Sequence, residues 1–296
     1  MTSISVDCIW PIAAELGEGP VWCAAETALY FVDIKGRSIH SCDEHGRTRR
    51  SWPTPESIGF LQPMSRGGLV AGLKSGLHHF DLIRGVFKLA LDVEPGARGN
   101  RLNDAFVDSS GCLWFGSMDD AERSPSGALY SIDDNGRAVC HDDGYVITNG
   151  PCKSPDEKTF FHTDTMKRIV FAFDVSEDGL LSAKRPLLEI TNGYPDGTAV
   201  DADGCLWVAL FGGGRVERYS PRGTLIQSVH FPCDNVTKVA FGGNDLRTVF
   251  VTTAWKGLSP SQRQAQPLAG GVFAFRSDTP GLPQHSVSRG FQREYS

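Results

Sequence analysis

No segment of the chain approaches the roughly 20 consecutive apolar residues needed to span a bilayer, which excludes membrane-spanning helices. There is no basic stripe either. The 29 Lys and Arg are interspersed with 35 Asp and Glu, for a formal charge of −6, so nucleic acid is not an expected partner. The stretch Met1–Asp7 lacks a basic start and an apolar run, and no secretory leader is expected there. These absences read as a soluble, cytoplasmic protein with no membrane partner. The eight cysteines include no Cys-x-x-Cys and no Cys/His pair at ligand spacing, which argues against zinc. Most lie in apolar runs such as Gly111-Cys112-Leu113-Trp114, where free thiols behave as small buried hydrophobes. Helical periodicity is nearly missing, and no Pro/Ser/Gly-rich linker or charge block divides the 296 residues. A single domain over 1–296 is expected, because all-β domains often run to this length.

What is present is repetition. Val107–Gly116 recurs as Val200–Ala209, an offset of 93 residues, which fits two propeller blades of roughly 40–50 residues each. Each copy reads as an Asp-x-x-Gly turn leading into a buried strand. Ser154–Thr163 stands midway with the same pattern, and Leu29–Ile34 and Val249–Thr253 are further copies. A second strand type follows each of these: Ser38–Asp43, Gly76–Asp81, Ala128–Asp133, Ile169–Asp174, Val216–Pro221 and Gly271–Phe275. Their polar/apolar alternation predicts outer, half-exposed strands, six in all. With 33 Gly and 17 Pro to supply turns, the expected fold is all-β, a six-bladed β-propeller that leaves only short protected edges. The run Ile4–Trp10 has no unit of its own and is expected to pair with the last blade, closing the ring.

Four polar stretches stand just ahead of predicted inner strands, where a propeller channel has its mouth. In Leu16-Gly17-Glu18-Gly19-Pro20, flanking glycines let the backbone bend and a ligand approach. In Arg101-Leu102-Asn103-Asp104, Arg101 and Asn103 share one face of an extended chain and suit a carbonyl-bearing or polyhydroxylated ligand. Thr148-Asn149-Gly150-Pro151 and Tyr194-Pro195-Asp196-Gly197 are each also ordinary turn sequences. Their common position is the signal. Glu18, Asn149 and Asp196 on three blades would converge as a hard, oxygen-only set for one divalent ion: Ca²⁺, Mg²⁺ or Mn²⁺, with Zn²⁺ or Fe²⁺ open. Without a cation the two carboxylates would repel and one would hold its proton. His162 and Thr163 are expected to be structural and hydrogen-bonded, and Trp22, Trp114 and Trp207 to pack between blades.

On these motifs the chain resembles the gluconolactonase/regucalcin family, also called the senescence-marker-protein family, over essentially its whole length. Leu16–Pro20, Arg101-x-Asn103-Asp104, Thr148–Pro151, His162–Thr165, Tyr194–Gly197 and Leu268–Phe273 appear in family order. The bacterial pentonolactonases, xylonolactonase above all, are the members it is most similar to in feel. The resemblance implies a metal held by Glu18, Asn149 and Asp196, and a lactone contacted by Arg101 and Asn103. Family members also carry a substrate-contacting glutamate shortly after the strand that ends here in Gly116-Ser117-Met118. In this chain Asp119-Asp120-Ala121-Glu122 offers several acids, and Asp119 is assigned the contact.

The expected activity is hydrolysis of a sugar aldonolactone, a pentonolactone first and gluconolactone second. The metal would polarise the carbonyl, Asp196 would serve as general base, and Arg101 would steady the developing charge. A metal-dependent esterase or phosphotriesterase and a non-catalytic calcium-binding propeller are the rival readings. The partner is a small-molecule lactone, and the chain a monomer or weak homo-oligomer.

Overall fold

The computed structural model describes residues 4–291. A short strand, β1 (Asp7–Trp10), precedes blade one, which comprises β2 (Gly17–Cys23), β3 (Ala28–Asp33), β4 (Ser38–Cys42) and β5 (Arg50–Pro53). Blade two is β6 (Ile58–Pro63), β7 (Leu69–Leu73), β8 (Gly76–Asp81) and β9 (Val86–Leu91). Blade three is β10 (Asn100–Val107), β11 (Leu113–Asp119), β12 (Gly127–Ile132) and β13 (Ala138–Tyr145). Blade four is β14 (Thr148–Lys153), β15 (Thr159–Asp164), β16 (Ile169–Val175) and β17 (Leu181–Glu189). Blade five is β18 (Tyr194–Val200), β19 (Leu206–Phe211), β20 (Arg215–Tyr219) and β21 (Leu225–His230). Blade six has β22 (Asn235–Gly242), β23 (Thr248–Ala254), the short helix α1 (Pro260–Ala265) and β24 (Val272–Arg276).

Each blade is a four-stranded antiparallel sheet in sequence order, except the sixth, whose fourth strand is β1 paired with β24. The first strands β2, β6, β10, β14, β18 and β22 touch their neighbours in turn, and β22 returns to β2, so the ring is closed. The architecture is an all-β, six-bladed propeller.

The strands expected to be outer and half-exposed are the third of each blade, and β4, β8 and β12 are largely buried. The exposed rim is the fourth strand, such as β9 and β21. The stretches expected to precede the inner strands lie inside them. All six first strands carry a break in register near their start, at Glu18/Val21, Ile58/Phe60, Leu102/Ala105, Asn149/Cys152, Pro195/Thr198 and Val236/Lys238. A bulge bends a strand and re-aims the side chains beside it. Gly19 and Gly150 adopt φ of 54° and 56°, each followed by a proline that needs no ladder partner at a bulge.

The tryptophans seal blade to blade. Trp22 stacks on Phe250 of blade six (5.6 Å), Trp114 meets Phe160 of blade four (4.7 Å), and Trp207 meets Phe241 of blade six edge-on (5.8 Å). Such pairs add about 0.5–1.5 kcal/mol beyond their burial. The turn shared by the two repeats is a side-chain staple. Asp108 and Asp201 each accept the indole N–H of the tryptophan six residues on, at 2.9 Å. Gly111 and Gly204 both take φ 77° to close that turn. All eight cysteines are free thiols, and six of them are buried. Among the described residues, no helix is long and apolar enough to cross a membrane.

Candidate active site

The bulges carry the polar residues to one end of the channel. Glu18 is the second residue of β2, Arg101 and Asn103 the second and fourth of β10, Asn149 the second of β14, and Asp196 the third of β18. All five line one cavity of about 210 Å³. That is smaller than the roughly 300–1,000 Å³ of sites for drug-sized ligands, and it suits a small metabolite. Leu16, Ile34, Met118, Ile147, Met166, Tyr194 and Phe211 form its apolar wall.

Hydrogen bonds fix the floor of the cavity. Thr165 Oγ1 donates to the Pro195 carbonyl (2.8 Å), so its oxygen must accept from Asn149 Nδ2 at 3.0 Å. That sets the carboxamide's orientation and leaves Asn149 Oδ1 as the acceptor. Asn103 Nδ2 donates to Asn149 Oδ1 (2.9 Å) and to the Thr148 carbonyl (2.6 Å). Asn103 Oδ1 in turn accepts from Arg101 Nη1 at 2.5 Å. Asn103 therefore spends its donors on Asn149 and the carbonyl just before it. Arg101 Nη2 has no hydrogen bond among the described residues, while Asp120 Oδ1 lies 3.2 Å from Arg101 Nε. Lys35 and Lys74 each hold Asp120 at 2.9 Å, which anchors the arginine's counter-charge.

The carboxylates are under strain of a different kind. Glu18 takes one donor, the Gly19 amide at 2.7 Å, and the Asp196 carboxylate takes none among the described residues. Burial first, then the negative charge of Asp104, pushes Glu18 up to about 7. Burial and the charges of Glu18 and Asp104 push Asp196 well above the ordinary carboxylate range. Among the described residues no three His, Cys, Asp or Glu side chains are grouped to hold a metal. An ion here would rest on two carboxylates and the Asn149 oxygen, a hard donor set that fits Ca²⁺, Mg²⁺ or Mn²⁺.

Asp119 is not in this group. Its carboxylate turns onto its own loop and accepts the amides of Ala121 (3.2 Å), Arg123 (3.0 Å) and Ser124 (2.8 Å). The acid of that loop lining the cavity is Glu122, ion-paired with Lys256 of blade six. Asp120 and Glu122 stood among the acids the sequence offered and Thr165 in a family motif, but none was assigned a role, and Lys256 gave no signal, because each acts through a partner remote in sequence. His162 is buried against Tyr145 (ring centroids 4.7 Å), but neither ring nitrogen has a hydrogen bond, and the Thr163 hydroxyl also lacks one. The hydrogen-bonded role expected of them is not what the structure contains. Burial pushes the imidazole down to about 3, so it stays neutral and can lie in apolar surroundings.

Known proteins resemble the chain along nearly its full length. A 6-deoxy-6-sulfogluconolactonase of Pseudomonas putida is 33% identical, over 95% of this chain and 97% of that protein. Regucalcin of Danio rerio is 32% identical over 97% and 100%. The crystal structure of a calcium-binding regucalcin from Agrobacterium tumefaciens superposes with a TM-score of 0.92 at 26% identity, covering 97% of this chain and all of that one. The profile of the SMP-30/gluconolactonase/LRE-like region matches residues 16–255, a span that holds every residue named in the cavity except Lys256. The chain belongs to the SMP-30/gluconolactonase/LRE-like family.

Proposed function

We propose that this chain hydrolyses the ring ester of a sugar aldonolactone, with a divalent cation held by Glu18, Asn149 and Asp196. One observation carries the reading. Two buried, mutually repelling carboxylates meet a pre-oriented carboxamide oxygen and an uncommitted arginine nitrogen around a cavity of small-metabolite size. A bound ion would supply Lewis-acid polarisation of the lactone carbonyl and relieve the repulsion between the carboxylates. Asp196, which lines the cavity without a protein donor, is the base that takes a proton from the attacking water. The water oxygen bonds to the carbonyl carbon, the ring C–O bond breaks, and the leaving ring oxygen takes the proton back from Asp196. Arg101 Nη2 is the donor for charge that builds on the carbonyl oxygen. Asn103 positions Asn149 in place of the direct sugar contact first expected of it, and Glu122 with Lys256 borders the sugar's hydroxyls.

The relative at 33% identity is named for a gluconolactone bearing a sulfo group. A gluconolactone-type ring therefore stands first, ahead of the pentonolactone that the family resemblance favoured. The test is acid release from a panel of hexono- and pentonolactones, run after chelation and after adding single divalent ions. Turnover of gluconolactone-type substrates, lost on chelation and restored by one ion, is expected. Activity on aryl esters with none on any lactone would move the assignment to an esterase.

A further inference from the structure

Below the cavity lies an ion pair that no motif announced. Lys238 enters from β22 of blade six and reaches Asp104 of β10, in blade three, as a buried pair; both side chains are under 10% exposed. Its stem lies against Gly197, where a Cβ would stand 2.3 Å from Lys238 Cγ. That clash, rather than a turn, is why the residue after Asp196 is glycine. Asp104 also accepts the Ala105 amide (2.7 Å) and the amide of Gly150 (2.8 Å), the residue after Asn149. The pair thus touches the chain next to both Asn149 and Asp196.

The other cations near the cavity are already answered, Arg101 by Asp120 and Lys256 by Glu122. What remains are three buried carboxylates, Glu18, Asp104 and Asp196, facing one ammonium. Three negative charges and one positive leave a formal −2, which a single divalent cation cancels. A buried ion pair is seldom needed for stability, since well-packed apolar residues of similar volume often serve as well. With Asp104 in place, Lys238 is what keeps a third negative charge from facing the site.

We propose that Lys238 is a positioning residue for the cation site. By committing Asp104 to an ion pair, it leaves two carboxylates free instead of three and sets the charge, and so the affinity, of the centre. This rests on the metal reading above.

The experiment is calorimetric titration of the metal-free full chain with Ca²⁺ and with Mn²⁺, folding being checked by thermal melts. Lys238→Met, which frees a third carboxylate, is expected to bind the ion about tenfold or more tightly. Asp104→Asn, which leaves an unopposed ammonium, is expected to weaken binding by a similar factor. The double variant, neutral at both positions, should return to within about threefold of wild type, as should Lys238→Arg, which keeps the charge. Shifts of the same sign in the two single variants, or none, would overturn the proposal. If Lys238→Met does not fold, the comparison of Asp104→Asn with the double variant decides, and the double variant must bind more tightly. A wild-type chain that binds neither ion would overturn the metal reading and this proposal together. Binding by wild type with unmoved variants would overturn this proposal alone.

Discussion

Buried carboxylates stand at both ends of the blades' first strands, and the fold treats them in opposite ways. Asp201, just past the end of β18, accepts from Arg218 Nε (2.7 Å), Trp207 Nε1 (2.9 Å), Cys205 N (2.9 Å) and Asp203 N (3.0 Å). Asp108, past the end of β10, is served by Lys153 (2.7 Å) and Trp114 (2.9 Å) in the same way. Burial alone would raise Asp108, but Lys153, Ser110 and Trp114 hold it below its ordinary range. Near the start of β18, Asp196 is enclosed to a comparable degree and accepts from no donor among the described residues. A saturated carboxylate is a staple. One left without donors is kept in place only by the surrounding propeller, and its charge is available to a ligand.

Three measurements press on that contrast. Asp196→Asn should lower kcat/KM on the working lactone by about 10²–10⁴-fold, the usual contribution of a general base. In chelator its melting temperature should match or exceed wild type, because a repelling charge is gone; an active variant would end the assignment. The second effect is one of pH. Glu18 is raised from 4.5 in an unstructured chain to about 7 in the fold. Its stabilising contribution is therefore complete below about 4.5 and disappears as pH rises through 7, a loss on the order of 3 kcal/mol. Thermal melts of the metal-free protein between pH 5 and pH 7 should fall more steeply for wild type than for Glu18→Gln. Equal slopes would remove Glu18 from the cluster. At the opposite end the expected change is structural. Asp201→Ala should cost about 2–3 kcal/mol, tempered because the Arg218 left behind can reach water. Activity per folded molecule should be unchanged, and denaturant melts paired with active-site titration would show it.

The two ends also differ in how openly the chain displayed them. The staple is local: an aspartate, a glycine at φ 77° and a tryptophan within seven residues carry all of it, so the repeat could be read directly. The copy in blade four is fainter because Glu157, at φ 55°, fills the left-handed position that Gly111 and Gly204 hold in blades three and five. The site end looked like turns. Glu18-Gly19-Pro20, Asn149-Gly150-Pro151 and Pro195-Asp196-Gly197 have turn composition, yet each is a bulge inside a strand. A bulge and a turn ask the same of the backbone, a local bend with unpaired amides, so composition could not separate them. The register of the neighbouring strand does.

Asp119 shows the same limit. Four consecutive residues hold three acids, and only the path of the loop turns Asp119 inward onto backbone amides while Glu122 borders the cavity. Lys238 had no local signal at all, because its partner lies 134 positions away.

By itself the sequence determined the all-β class, the number of blades, the interblade tryptophans and the five residues Glu18, Arg101, Asn103, Asn149 and Asp196. The strands and turns follow from local pattern, the tryptophans from their place in the repeat, and the five residues from motifs of set spacing that carry the family resemblance. Tertiary structure alone decided which carboxylates go without donors, which acid of the Asp119–Glu122 loop reaches the cavity, and that Lys238 answers Asp104. Those depend on side chains from different blades meeting at one end of the channel, where burial and neighbouring charge, more than residue type, settle what a carboxylate can do.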